Sequence, residues 1–165
     1  MEKDTPSITP KSFLRTFKLI HTALTAGVLV FGVMMFLQTK NQQLNLNYTG
    51  DVMYFVVPFM AVAGILAGNY LYGNMLKGLA SMKTLREKLN GFQSASVIRY
   101  ALLEGPAFLG IVAFMNEGNQ YYLIFSVLLL GWLIMQRPTK DKVESDLKLE
   151  GSLKYEFQQG DHPLV

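Results

Sequence analysis

A single carboxyl group, that of Glu104, is the side chain in this sequence best placed to do chemistry. It stands near the middle of an apolar segment, residues 94–116, where a bilayer-spanning helix would hold it at mid-depth. A charged carboxylate there costs about 2.5–3.5 kcal/mol on insertion scales, so such a position calls for a chemical or structural reason. Three side chains are candidates to share the site. Tyr100 lies four residues earlier, on the same helical face, and can donate a hydrogen bond. Asn69, on the preceding apolar segment, reaches the depth of Tyr100 because consecutive spans run in opposite directions. Thr25, on the first segment, is a further donor. Two readings of Glu104 stand: a carboxyl that carries a proton or cation, and a neutral carboxyl that ties helices together. Pro106 frees the carbonyl of Leu102 from its helical hydrogen bond. That oxygen either joins the Glu104 site or merely accompanies a bend. Arg99 is too far round the helix to pair with Glu104 and is expected to snorkel toward headgroups.

The elements that must hold these residues are helices in lipid. Of 165 residues, 50% are hydrophobic and only 16% charged, against about 25% charged in a soluble domain. Four apolar stretches, at about residues 13–38, 51–77, 94–116 and 119–136, approach or exceed the length of about 20 residues that a hydrocarbon core requires. The fourth is the shortest, with an apolar stretch from about Tyr121 to Met135 that is expected to extend by a turn at each end. None has strand alternation, and none has the polar face of a soluble bundle helix. The first stretch is too long for a signal peptide, and no small-x-small cleavage site follows Leu37. The expected fold is all-α: an integral membrane bundle of four transmembrane helices over residues 1–137, then a polar cytoplasmic tail over 138–165. In that tail a short helix is expected from Lys140 to Leu147, with loose structure to Val165. His162 reads as solvated.

Charge sets the expected orientation. Fourteen of the fifteen Lys and Arg residues, from Lys3 to Lys154, fall on one side of the four spans, and only Lys40 falls on the other. By the positive-inside rule that side is cytoplasmic, so both termini are. The plasma membrane, a bacterial inner membrane, is the expected location. Tyr48, Tyr54, Tyr121 and Tyr122 mark the outer interface, with Trp132 and Tyr70 or Tyr72 toward the inner one. Between spans two and three, Leu79, Met82, Leu85 and Leu89 recur at helical spacing among lysines and arginines, which predicts a separate amphipathic helix on the membrane surface.

Residues 19–36 and 97–114 match at six of eighteen positions when offset by 78. Either the spans form two parallel hairpin repeats, or two apolar segments match by chance. Small residues four apart allow close helix contacts in lipid: Ala23 and Gly27 on span one, Gly64 and Gly68 on span two, Ala101 and Gly105 on span three. A tight central contact among these three spans is expected.

The run Ala101-Leu102-Leu103-Glu104-Gly105, with Val112-Ala113-Phe114 beyond it, resembles the carboxylate helix of the rotary ATPase proteolipid, the c subunit. The glycine-rich span before it (Gly64, Gly68, Gly73) and the basic loop between extend the resemblance over about residues 61–114. It implies that Glu104 carries a translocated proton or cation. The chain departs from that family in Pro106 and in its long loop, 77–93.

No cysteine is present. Phosphate-loop, nucleophile-elbow and His-Glu-x-x-His patterns are absent, and His21 is alone in its span. No catalytic, cofactor or metal site is expected, and hence no enzyme. The basic residues flank spans rather than line one face, which argues against nucleic acid. The expected function is proton- or cation-linked through Glu104, in a homo-oligomer or as a subunit of a membrane complex. The alternative is a non-catalytic accessory or assembly subunit.

Overall fold

The computed structural model describes residues 9–48 and 50–164. Lys3 and Val165, counted above with the basic side and the tail, lie outside them. Among the described residues the chain forms α1 (Pro10–Gln38), α2 (Met53–Leu79), α3 (Leu85–Glu117), α4 (Tyr121–Met135), α5 (Lys140–Asp146) and α6 (Gly151–Gln159). Three of these, α1 to α3, are long and apolar enough to cross a membrane. There are four if α4 and α5, which meet at 84°, are taken as one broken span. These lengths and compositions suggest a membrane protein. Leu19, Val30, Phe59, Leu66, Val127 and Met135 all point outward, as expected of helices that meet lipid rather than water.

Local chemistry sets the helix ends. Thr9 caps α1 in a reciprocal capping box with Ser12, and Pro10 supplies the preset first turn. Thr84 and Glu87 form the same box at the start of α3. That box explains a departure from expectation. The amphipathic stretch is not a separate surface helix: Leu79 ends α2, Met82 lies in the connection, and Leu85 and Leu89 open α3, which runs unbroken for 33 residues. Leu85, Leu89 and Phe92 are buried there, and Leu79 folds tightly over Gly91. At its other end α3 stops on Gly118, whose φ of 67° is left-handed and suits glycine.

The two glycine-lined crossings put α3 at the centre. Of its apolar stretch, 44% is buried, against 17% in α1 and 22% in α2. α3 packs on α2, α4 and α1, whereas α1 and α2 barely touch. Two equivalent hairpins would pair α1 with α2 as α3 pairs with α4, so the packing does not follow the suspected repeat. α4 has 15 residues, about 22 Å at 1.5 Å per residue. Gln120 and Gln136 cap it directly, and the expected extra turns do not form.

One end of the bundle gathers the first and last described helices and most of the basic residues; the other carries the contacts between the loops that follow α1 and α3. At the latter, Asn119 exchanges hydrogen bonds with the backbone of Asn45 (2.9 and 3.0 Å), and Gln43 pairs with Gly118 and Gln120 through the backbone. Tyr54 and Tyr121 stack at 4.5 Å beside this clasp. Tyr122, expected as an interface anchor, is buried and hydrogen-bonded to Asp51.

At the basic end the tail is not loose. Thr139 caps α5, and Val143, Leu147, Leu149, Phe157 and Leu164 join Phe13, Phe17, Leu89 and Phe92 in one apolar core. α6 packs on α1 and α3, and Lys11 pairs with Asp161 at 3.1 Å. Five apolar side chains spread over a mostly polar segment are enough to dock it. His162 is exposed.

Candidate functional site

Pro106 decides how α2 and α3 meet. Lacking an N–H, it leaves the Leu102 carbonyl without its helical partner, although α3 continues through it. Gly64 of α2 lies directly against that oxygen, and a methyl group at Gly64 would overlap it and crowd the Pro106 ring. One turn along, Gly68 packs against Arg99 and Leu102. The freed carbonyl therefore faces α2, where a glycine Cα–H can approach it. It does not join Glu104, which lies on the other side of α3.

Glu104 is half-buried, and its side chain has no hydrogen-bond or charge partner among the described residues. Its three expected companions are engaged elsewhere. The Tyr100 hydroxyl donates to the Gln136 carbonyl at 3.0 Å. Asn69 accepts from Arg99 Nη2 at 2.6 Å. The Thr25 hydroxyl donates back to the His21 carbonyl in its own helix at 2.8 Å, a common use of threonine inside a helix. The proposed small-residue contact divides in the same way. Gly64 and Gly68 are buried between α2 and α3, while Ala23, Gly27, Ala101 and Gly105 are exposed. Nothing lies within 4 Å of where a methyl would stand at Gly27 or Gly105. Only Gly64 and Gly68 thus make the expected contact, because α1 meets α3 through Phe17 on Phe92, His21 on Tyr100 and Phe31 on Phe108 rather than through Ala23 and Gly27.

The polar side chains expected around Glu104 converge instead at the basic end. The Arg99 guanidinium, expected to turn toward headgroups, finds partners on α2. It lies 4.7 Å from the centroid of the Tyr72 ring, a cation–π arrangement. The Tyr72 hydroxyl donates to Asp146 of α5 at 2.5 Å. Tyr72 thereby links a cation on α3 to an anion on α5. Beside it, Lys142 Nζ donates to Gln136 at 2.9 Å. Burial and the Arg99 charge lower the Lys142 pKa, against an opposing pull from Asp146. His21, buried in α1, donates from Nε2 to the Leu133 carbonyl at 2.9 Å and meets the Tyr100 ring edge-on. These contacts tie four helices and α5 together, and the space between them is closed.

Tyr72, Gln136, Lys142 and Asp146 were not singled out as a group from sequence. Their signal was present in α5: Lys142 and Asp146 are four apart, and Val143 and Leu147, also four apart, mark a face that must dock. What this network can do is fix the end of α4 and the fold of the tail; Glu104, in the apolar stretch of α3, takes no part in it and has no hydrogen-bond partner among the described residues. No protein family, curated protein or solved structure matches this chain, so its own side chains carry the functional reading.

Proposed function

We propose that this chain is a multi-pass membrane protein that works in an assembly and handles a proton or cation at the carboxyl of Glu104. The supporting observation is that Glu104 sits half-exposed in the apolar stretch of α3, with no partner among the described residues. A carboxyl in hydrocarbon takes a proton, a cation or a donor from a neighbouring chain. The neighbouring chain is a second copy or another subunit. Four spans with both ends cytoplasmic, in a plasma membrane of bacterial inner-membrane type, agree with the charge bias of the loops.

The test uses purified chain in liposomes. A hydrophobic carbodiimide should label Glu104, and labelling should vanish in Glu104→Gln. Proton or cation flux, or proton uptake on assembly, should vanish with it. Flux that survives the substitution, or a position 104 labelled freely by water-soluble reagents, would remove the reading.

A second reading is an accessory subunit with no transport of its own. Gly27 on α1 and Gly105 on α3, both open, favour it, since small residues on an outer face admit a partner helix. Gly105→Leu should then detach the chain from its complex, as judged by native-gel co-migration, while Glu104→Gln leaves it attached.

A further inference from the structure

We propose that a cavity at the basic end of α2 binds a phosphate-bearing anion at the depth of a phospholipid headgroup. The cavity, of about 430 Å³, is lined by Gly73 and Lys77 of α2, Lys88 of α3, and Asp146 and Lys148 around the end of α5. Three cations from three elements therefore face one carboxylate, and that carboxylate already accepts the Tyr72 hydroxyl.

Lys88 carries the argument furthest. It is only 7% exposed, and its ammonium donates to the carbonyls of Leu79 and Ala80 at 2.9 and 3.3 Å. An ammonium has three N–H groups, so one remains for a ligand. Among the described residues Lys88 forms no ion pair. A buried cation without a counter-charge is costly, and a bound anion removes that cost. Lys148 lines the same cavity. Its φ of 47° is left-handed, a conformation that non-glycine residues seldom take. Two backbone hydrogen bonds, Lys148 to Ser145 and Leu149 to Glu144, hold it there as the turn that ends α5. Gly73 leaves the opposite wall open, with nothing within 4 Å of a methyl position.

A tetrahedral phosphate can offer oxygens to lysines on three walls at once, which a planar carboxylate cannot do as well. The position, where the apolar stretch of α2 ends in Lys77, is where basic pockets meet anionic headgroups. The inference is separate from the Glu104 reading. Only its lipid source rests on the chain meeting a bilayer.

The experiment takes the purified full chain in neutral detergent and adds phosphatidylglycerol, phosphatidylcholine or inorganic phosphate. Native mass spectrometry and thermal melting read the binding. Phosphatidylglycerol should bind and raise the melting temperature, and phosphatidylcholine should not. Lys77→Gln with Lys148→Gln should weaken binding at least about tenfold. The exposed control pair, Lys83→Gln with Lys140→Gln, should leave it unchanged. Displacement of the lipid by millimolar phosphate identifies a site open to soluble phosphates; retention of the lipid identifies the headgroup as the source. Equal binding of both lipids with no phosphate binding, or equal loss in the control pair, overturns the proposal. Either failure leaves carbodiimide labelling of Glu104 untouched.

Discussion

On the side of α3 that meets α2, each small residue is used. Gly64 accommodates the Leu102 oxygen that Pro106 has freed, and Gly68 lets Arg99 and Leu102 approach. Beside Glu104, equally small residues stand open: nothing lies within 4 Å of a methyl position at Gly105, and Ala101 is exposed. The same helix thus closes on α2 at the glycine contacts, while Ala101 and Gly105 stay open and Tyr100 and Phe108, one turn either side of Glu104, meet α1. The α2 face makes the fold. Glu104 itself makes no hydrogen bond among the described residues, so a change at its carboxyl breaks none of them.

The largest expected effect breaks the closed face. Gly64→Leu drives a branched side chain into the Leu102 carbonyl and the Pro106 ring, both backbone-anchored. It should cost about 3 kcal/mol or more, read as a collapse of the melting temperature in detergent or as loss of folded protein. Gly105→Leu, with the same change in volume, should alter monomer stability by less than about 0.5 kcal/mol. Similar losses at both positions would erase the distinction between the faces.

This contrast shows what could be read before the fold was known. Gly64, Gly68, Ala101 and Gly105 were all legible as small residues at helical spacing, and the four apolar helices were legible from length alone. Which pair faces its neighbour was not, because spacing carries no azimuth: Gly64 and Gly27 look alike until the crossing point of each helix pair is known. Pro106 was legible as a freed carbonyl, yet the direction of Leu102 depends on its angle round α3. The tail was misjudged for a different reason. Its five buried apolar residues are spread among charges, so that composition read it as solvated, whereas a periodicity of four at Val143 and Leu147 was the better guide.

A smaller effect sharpens the comparison at the basic end. Tyr72→Phe keeps the ring under Arg99 and removes only the hydroxyl that reaches Asp146. It should cost about 1 kcal/mol and raise hydrogen exchange in α5 more than in α3. If α5 stays fully protected, the link from α2 through Tyr72 does not hold the tail in place.

At the α3–α4 crossing, Ser126 donates to the Ala107 carbonyl at 2.8 Å, with Gly110 close against the Ser126 side chain and the Tyr122 backbone. Ser126→Ala removes this one interhelical hydrogen bond but keeps the small volume the crossing needs. The expected cost is about 0.6 kcal/mol, typical for such bonds in lipid, seen as a small drop in melting temperature. Ser126→Leu should cost several times more, since steric fit rather than hydrogen bonding dominates a glycine-lined crossing. Equal effects would mean that the bond, and not the fit, closes this face.

The smallest expected effect on stability belongs to Glu104. Glutamine keeps the shape of the carboxyl and removes its charge and its exchangeable acid proton. Since Glu104 has no hydrogen-bond partner among the described residues, Glu104→Gln should shift the stability of the isolated chain by less than about 0.5 kcal/mol, measured by thermal melting in detergent. Any change in flux or in carbodiimide labelling then reports on the carboxyl itself and not on damage to the bundle. A loss of more than about 1 kcal/mol would show that the carboxyl holds helices together after all. The open face of α3 would then be a second structural face, and the proton or cation reading would lose the observation it rests on.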